Sequence, residues 1–140
     1  MKRVLTYGTY DLITPGHIQH LKESKEMGDY LIVGLSTDEF NAIKHKQSYL
    51  SYEERKIVME AIKYVDEVIP EKDWDQKPED IKKYNIDILT MGSDWEGNPK
   101  FEYLKEYCDV RFTKRPFIWS STAFRKKVDE YAKEMEKEEE

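Results

Sequence analysis

A doubly wound α/β fold, five parallel strands with helices on both faces, is what this sequence predicts, and three observations predict it. Strand-like and helix-like stretches alternate from the first residues onward. One strand stretch is apolar without interruption, and polar or cationic residues follow one strand after another. Alternation implies a parallel sheet joined by right-handed crossovers. A strand that is apolar along its whole length is covered on both faces, as the strands of such sheets are.

Val4-Leu5-Thr6-Tyr7 reads as a short buried strand that runs through Gly8 into a helix opening at Gly16-His17. Ile18, Leu21 and Lys25 to Met27 continue that helix until Gly28 stops it. Tyr30-Leu31-Ile32-Val33-Gly34-Leu35 is the uninterrupted apolar strand, and Ser36 to Ser51 is a polar connecting segment. Ser51-Tyr52-Glu53-Glu54 has the pattern of a helix N-cap with an acid three residues on, followed by an apolar stripe of Ile57, Val58, Ala61 and Ile62. Asp66-Glu67-Val68-Ile69 is a third strand, which Pro70 is expected to stop. Lys77-Pro78-Glu79-Asp80 places a proline and acids in the first turn of a helix whose Ile81 and Tyr84 point inward. Ile86 to Met91 is the fourth strand, ended by Gly92. Phe101 to Tyr107 fits a short helix and Val110-Arg111-Phe112 a fifth strand. Ser120 to Met135 forms a last helix with Phe124, Val128, Tyr131 and Met135 on one face. The order is Rossmann-like, with no internal repeat or linker.

At 140 residues the chain is one domain, taken as 1–133, with 134–140 as an acidic tail. That tail holds five glutamates and reads as a solvated helix end. The net charge of -6 argues against a domain that coats nucleic-acid phosphates. A small anion still binds where cations gather in one cleft. No run approaches the ~18 apolar residues of a membrane span, and Met1-Lys2-Arg3 leads straight into a strand rather than a signal peptide. The expectation is a soluble, cytoplasmic protein that engages no membrane. The one cysteine, Cys108, cannot form an internal disulfide and reads as a buried structural thiol.

Open parallel sheets take ligands beyond the carboxyl ends of their strands. Gly8, Thr9, Tyr10, Asp11, Thr14, Gly16 and His17 follow the first strand, and Asp38, Lys44 and Lys46 the second. Gly92, Asp94 and Trp95 follow the fourth, and Arg115, Ser120, Ser121 and Thr122 the fifth. A helix opening at Gly16-His17 presents uncapped N-H groups and an imidazole where partial positive charge favours a phosphate. Taken singly, the lysines are an ordinary solvated face and Ser120-Ser121-Thr122 an ordinary N-cap. Their joint placement at strand ends is what makes a phosphate site. Nothing has the spacing of a structural zinc site.

Gly8-Thr9-Tyr10-Asp11 followed by Thr14-Pro15-Gly16-His17 matches the (H/T)xGH signature of the nucleotidylyltransferase superfamily. Trp119-Ser120-Ser121-Thr122-Ala123-Phe124-Arg125 resembles its second signature, ISSTxxR. Ser36 to Asn41, Lys44-His45-Lys46, Tyr52 to Lys56, Tyr64 to Lys72 and Met91 to Gly97 are similar to the bacterial glycerol-3-phosphate cytidylyltransferases of teichoic acid synthesis. The resemblance implies transfer of CMP from CTP to a small phosphate such as sn-glycerol 3-phosphate, release of pyrophosphate, Mg²⁺ arriving with the triphosphate, and a homodimer. It assigns His17, Lys44, Lys46 and Arg115 to catalysis. Gly8, Thr9, Tyr10, Asp11, Thr14, Gly16, Asp94, Trp95, Ser120, Ser121 and Thr122 fall to the nucleotide, and Asp38, Lys44, Lys46 and Trp74 to the acceptor. The chain departs from that family at Thr14, usually histidine, and at Pro116 to Trp119, where the family usually reads TEGI. With those departures, an adenylyltransferase with a different acceptor and a catalytically impaired or engineered binding protein on the same scaffold both stay open.

Overall fold

The apolar stretches near the N-terminus fold as the centre of a sheet: Val4, Leu5, Leu31, Ile32, Val33 and Leu35 expose no surface at all. A computed structural model describes residues 1–114 and 121–139. Its elements are β1 (Arg3–Gly8), α1 (Pro15–Glu26), β2 (Tyr30–Ser36), α2 (Asp38–Ile43), α3 (Tyr52–Glu60), β3 (Glu67–Glu71), α4 (Lys77–Lys83), β4 (Ile88–Gly92), α5 (Pro99–Glu102), β5 (Asp109–Thr113) and α6 (Ser121–Glu139). All five strands are parallel, in the order β3-β2-β1-β4-β5. The chain therefore builds outward from β1 in one direction and then in the other. The crevice where the direction reverses, beyond the ends of β1 and β4, is where such sheets take ligands.

Alternation along β1 sends its side chains to two cores. Leu5 and Tyr7 pack with Ile32, Leu89, Ile81 of α4 and Phe101 of α5, whereas Val4 packs with Leu31, Val33, Leu21 of α1 and Met59 of α3. Helices thus cover both faces. On the first face Gly34 lies beneath Tyr7, and a Cβ at residue 34 would land in that ring. The Tyr7 hydroxyl donates to Asp80 Oδ2 at 2.8 Å, which fixes the ring over the glycine. On the second face a polar chain crosses the sheet. Thr6 donates to the Thr90 carbonyl at 2.7 Å and receives His20 Nε2 at 2.9 Å, and His20 Nδ1 meets the Thr113 hydroxyl at 2.5 Å.

Several elements differ from their sequence patterns. The polar segment after β2 contains α2, whose N-cap Thr37 accepts from the Phe40 N-H. Six residues with one buried aromatic are too few to show helical periodicity. In α3 the expected stripe faces inward only in part: Ile62, just past the helix, packs on the second core, but Ile57 is 69% exposed and Val58 is also exposed, while Arg55 and Met59 are buried. Pro70 does not stop β3 but lies inside it, opposite Leu35. Edge strands tolerate proline because one side of their ladder is unpaired. The stretch from Phe101 to Tyr107 divides into the end of α5 and a 3₁₀ turn over Tyr103–Glu106. Of the apolar face expected on α6, Tyr131, 65% exposed, and Met135 face outward while Phe124 and Val128 are half-buried. Polar contacts also tie that helix down, Tyr49 to Asp129 and Arg125 to the Gln47 carbonyl.

Cys108 is half-buried against the first core, and burial pushes its thiol up to about 11. Among the described residues, no helix is long and apolar enough to cross a membrane.

Candidate active site

Beyond the carboxyl ends of β1 and β4 lies a cleft of about 1280 Å³. Gly8, Thr9, Tyr10, Asp11, His17, Lys44, Lys46, Trp74, Asp94 and Trp95 all line it. Residues 115–120, and so Arg115 and Ser120 with Pro116 to Trp119, lie outside the described residues, as do the side chains of Ser121 and Thr122.

The first loop is shaped by its own packing. Tyr10 adopts φ 47° and is buried, and its ring lies over Gly8, where a Cβ would come within 2.7 Å of it. Only glycine lets β1 end beneath that ring. Tyr10 in turn meets the His17 imidazole edge to face at 5.5 Å. Thr14 is the N-cap of α1 and closes a capping box with His17: its hydroxyl accepts the His17 N-H, and His17 Nδ1 accepts the Thr14 N-H at 3.0 Å. An N-H partner makes Nδ1 the acceptor, so the ring proton sits on Nε2. The imidazole is thereby set to donate, at a helix N-terminus that already favours anions. Thr14 and Gly16 are buried, and neither is among the residues that line the cleft.

The opposite wall is the segment after α2. Lys44 caps that helix, and its ammonium lies 4.5 Å from the Phe40 ring and 6.0 Å from that of Trp74. Burial pulls its pKa down to about 8, and Lys46, Lys77 and Arg55 add to the fall while Glu71 opposes it. Lys46 is exposed on the same segment, fixed by its N-H to the Asn41 carbonyl at 2.8 Å.

Asp11 is committed to structure. Its carboxylate accepts the Tyr49 N-H at 2.7 Å and the Leu50 N-H at 2.9 Å, with Arg125 3.7 Å away. Asp38 lines a hollow with Asn41 and Ser51 that adjoins the cleft, Lys46 and Gln47 bordering both. The Tyr52 N-H and the Arg55 guanidinium hold its carboxyl below the usual range. Among the described residues no group of three or more His, Cys, Asp and Glu gathers to hold a metal ion. With both Asp11 oxygens on backbone N-H groups, the donor set fits an ion carried on phosphate oxygens, with Asp94 as a carboxylate in the cleft wall.

Four residues matter here that the sequence patterns did not bring out. Arg55 is fully buried and donates to the carbonyls of Thr9, Ser36 and Leu50 and to Asp38. One guanidinium thus ties together the ends of β1 and β2 and the segment before α3. His20 sits one turn past His17 in the cleft wall and links α1 to the last residue of β5. Glu71 and Lys77 are buried at the Trp74 end of the cleft, with Lys77 Nζ 3.1 Å from Glu71 Oε2. Hydropathy patterns place such ionic groups outside, so only their burial reveals them.

The fold and the cleft define a class: an α/β protein whose cleft, at the carboxyl edge of a parallel sheet between a histidine-bearing helix N-terminus and the lysines Lys44 and Lys46, suits an anionic ligand. The chain belongs to the cytidylyltransferase-like family, whose model matches residues 5–134. It is 56% identical to the glycerol-3-phosphate cytidylyltransferase of Staphylococcus aureus, over 91% of this chain and 96% of that protein. It is 52% identical to the protein of the same name from Bacillus subtilis, over 91% of this chain and 98% of that one. Among solved structures, the lipopolysaccharide core biosynthesis protein of Thermoplasma volcanium superposes with a TM-score of 0.72 at 27% identity, over 83% of this chain and 99% of that one.

Proposed function

We propose that this chain transfers the CMP moiety of CTP to sn-glycerol 3-phosphate and releases pyrophosphate, the activity for which its Staphylococcus and Bacillus relatives are named. The observation that carries the reading is the His17 imidazole, held by Thr14 as an Nε2-H donor in the same cleft as Lys44 and Lys46. A phosphate monoester oxygen attacks the α-phosphorus in line. The new P-O bond forms as the bond to the β-phosphate oxygen breaks, and the electron pair leaves with pyrophosphate. The nucleophile is already anionic, so the protein's task is to bring two anions together and to stabilise charge. Lys44 and Lys46 offset the repulsion between acceptor and α-phosphate, while His17 donates to the triphosphate as charge moves onto the leaving group. When bound, Mg²⁺ supplies charge neutralisation on the triphosphate oxygens. The working form in this reading is a cytoplasmic homodimer of a single domain with residues 134–140 as a solvated tail, and sedimentation at micromolar concentration checks the dimer.

Pyrophosphate release tests the function. CTP, Mg²⁺ and glycerol 3-phosphate together should give turnover, and ATP in place of CTP should not. Turnover with ATP alone would make it an adenylyltransferase, and tight nucleotide binding without turnover would make it a binding protein.

A further inference from the structure

The Trp74 end of the cleft contains more charge than holding one phosphate requires. Glu71, the last residue of β3, lines the cleft yet is only 3% exposed. Its Oε2 takes the Lys77 ammonium at 3.1 Å, and its backbone carbonyl takes the Thr37 N-H. Oε1 has no donor among the described residues. That oxygen is not sealed from the cleft that Glu71 lines, and a carboxylate oxygen there accepts from a group bound in it. Three ammonium groups surround the same place. Lys100 stands 3.9 Å from the centroid of the Trp74 ring, Lys77 5.1 Å and Lys44 6.0 Å.

We propose that Glu71 is the specificity-determining residue for the acceptor, its Oε1 receiving a hydroxyl of a polyol phosphate whose phosphate end lies on Lys44. This rests on the transferase reading above and adds which part of the acceptor is recognised. A phosphate held by Lys44 points its organic end toward Trp74, because those two side chains are neighbours. A hydroxyl there is placed to donate to Glu71, which lines the same cleft. An ammonium group does not fit, since the aromatic face that would attract it is already occupied by Lys100 and Lys77. Glu71 is neutralised by Lys77, and burial, partly offset by Lys77 and Lys44, raises the pKa of its carboxyl. The pocket therefore excludes added positive charge and selects a neutral, hydroxyl-bearing group. Sites built to hydrogen-bond a hydroxyl reject analogues that lack it far more strongly than apolar pockets reject a missing methylene.

The experiment measures pyrophosphate release from CTP with three acceptors: glycerol 3-phosphate, n-propyl phosphate, which lacks both hydroxyls, and ethanolamine phosphate, which carries an ammonium. The unmodified protein should favour glycerol 3-phosphate over each of the others by at least ~100-fold in kcat/KM. The Glu71→Gln variant should narrow the gap between glycerol and propyl phosphates by about tenfold or more, through the acceptor rather than through the KM for CTP. Equal use of all three acceptors, or an unchanged gap in the folded variant, overturns the assignment of Glu71 while leaving the transferase reading intact. No product from any acceptor overturns both. Where Glu71→Gln fails to fold, Glu71→Asp, which keeps the charge opposite Lys77 but draws the carboxylate back from the cleft, should narrow the same gap, and an unchanged gap in that folded variant overturns the assignment equally.

Discussion

Thr14 and His17 hold each other at the opening of α1, the threonine hydroxyl on the His17 N-H and the imidazole Nδ1 on the Thr14 N-H. The threonine hydroxyl therefore caps a helix, while the threonine backbone N-H sets the tautomer of a donor. Replacing Thr14 by valine keeps the shape but removes the cap, and should reduce stability by about 1 kcal/mol along with kcat. Thr14→Ser should restore both. His17→Ala removes the donor itself and should lower kcat by ~100-fold or more. Urea unfolding and steady-state pyrophosphate release measure the two effects on the same samples.

Lys44 predicts a pH profile. Its ammonium loses its proton at about pH 8 in the free folded protein, against 10.5 ordinarily. The kcat/KM for acceptor should be level below that pH and fall above it, as the charge that receives the acceptor phosphate is lost. Lys44→Met should remove this limb along with most of the activity. Stability responds in the opposite sense. Between the folded and unfolded pKa values the unfolded chain binds more protons, so this group's contribution to stability rises as pH rises through the window from about 8 to 10.5. Urea midpoints of wild type and Lys44→Met across that range measure the difference.

Arg55 should be the costliest of the polar residues to replace. Arg55→Lys keeps a positive charge but loses the planar fork that reaches three carbonyls at once. A loss of about 2–4 kcal/mol is expected, because buried carbonyls are left without donors. Asp38→Asn should lose no more than about 1 kcal/mol, since the Asp38 side chain is 48% exposed and its pair with Arg55 is screened. Urea titrations of the two variants test this ranking, and equal losses would contradict it.

Gly34→Ala should destabilise by about 1–3 kcal/mol, the range for forcing extra volume into a packed core. The methyl group would displace Tyr7, whose hydroxyl bond to Asp80 holds the ring in place. Because Tyr7 also lines the cleft, acceptor KM should shift along with the thermal midpoint. A variant with wild-type stability and kinetics would show that the ring moves freely.

The central sheet could be read from residues alone, because Leu31 to Leu35 are apolar without a break and parallel strands are covered on both sides. The capping residue Ser51 could be read for the same kind of reason, since a hydroxyl three residues before its partner is a local signal, whereas the helix opening at Gly16-His17 reads as uncapped and is capped by Thr14. What could not be read depends on distant contacts. Arg55 goes inside while Ile57 stays outside because carbonyls from Thr9, Ser36 and Leu50 converge on the guanidinium, and hydropathy contains no trace of that. Glu71 and Lys77 each look like surface residues until β3 and α4 bring them together. Asp11 follows the first strand as a ligand-binding carboxylate would, yet two backbone N-H groups from residues 49 and 50 occupy it.

Pro70, inside the outermost strand, also limits how far the sheet can grow. β3 pairs with β2 on one side only, and a further strand arriving on the other side would find no N-H at Pro70 in a strand of five residues. An open β edge is a template for runaway association, and an imino acid placed in it removes a rung that a newcomer would need. The residue that looks like a stop signal in the chain works as one in space: it lets β3 join the sheet and makes it the last strand to do so.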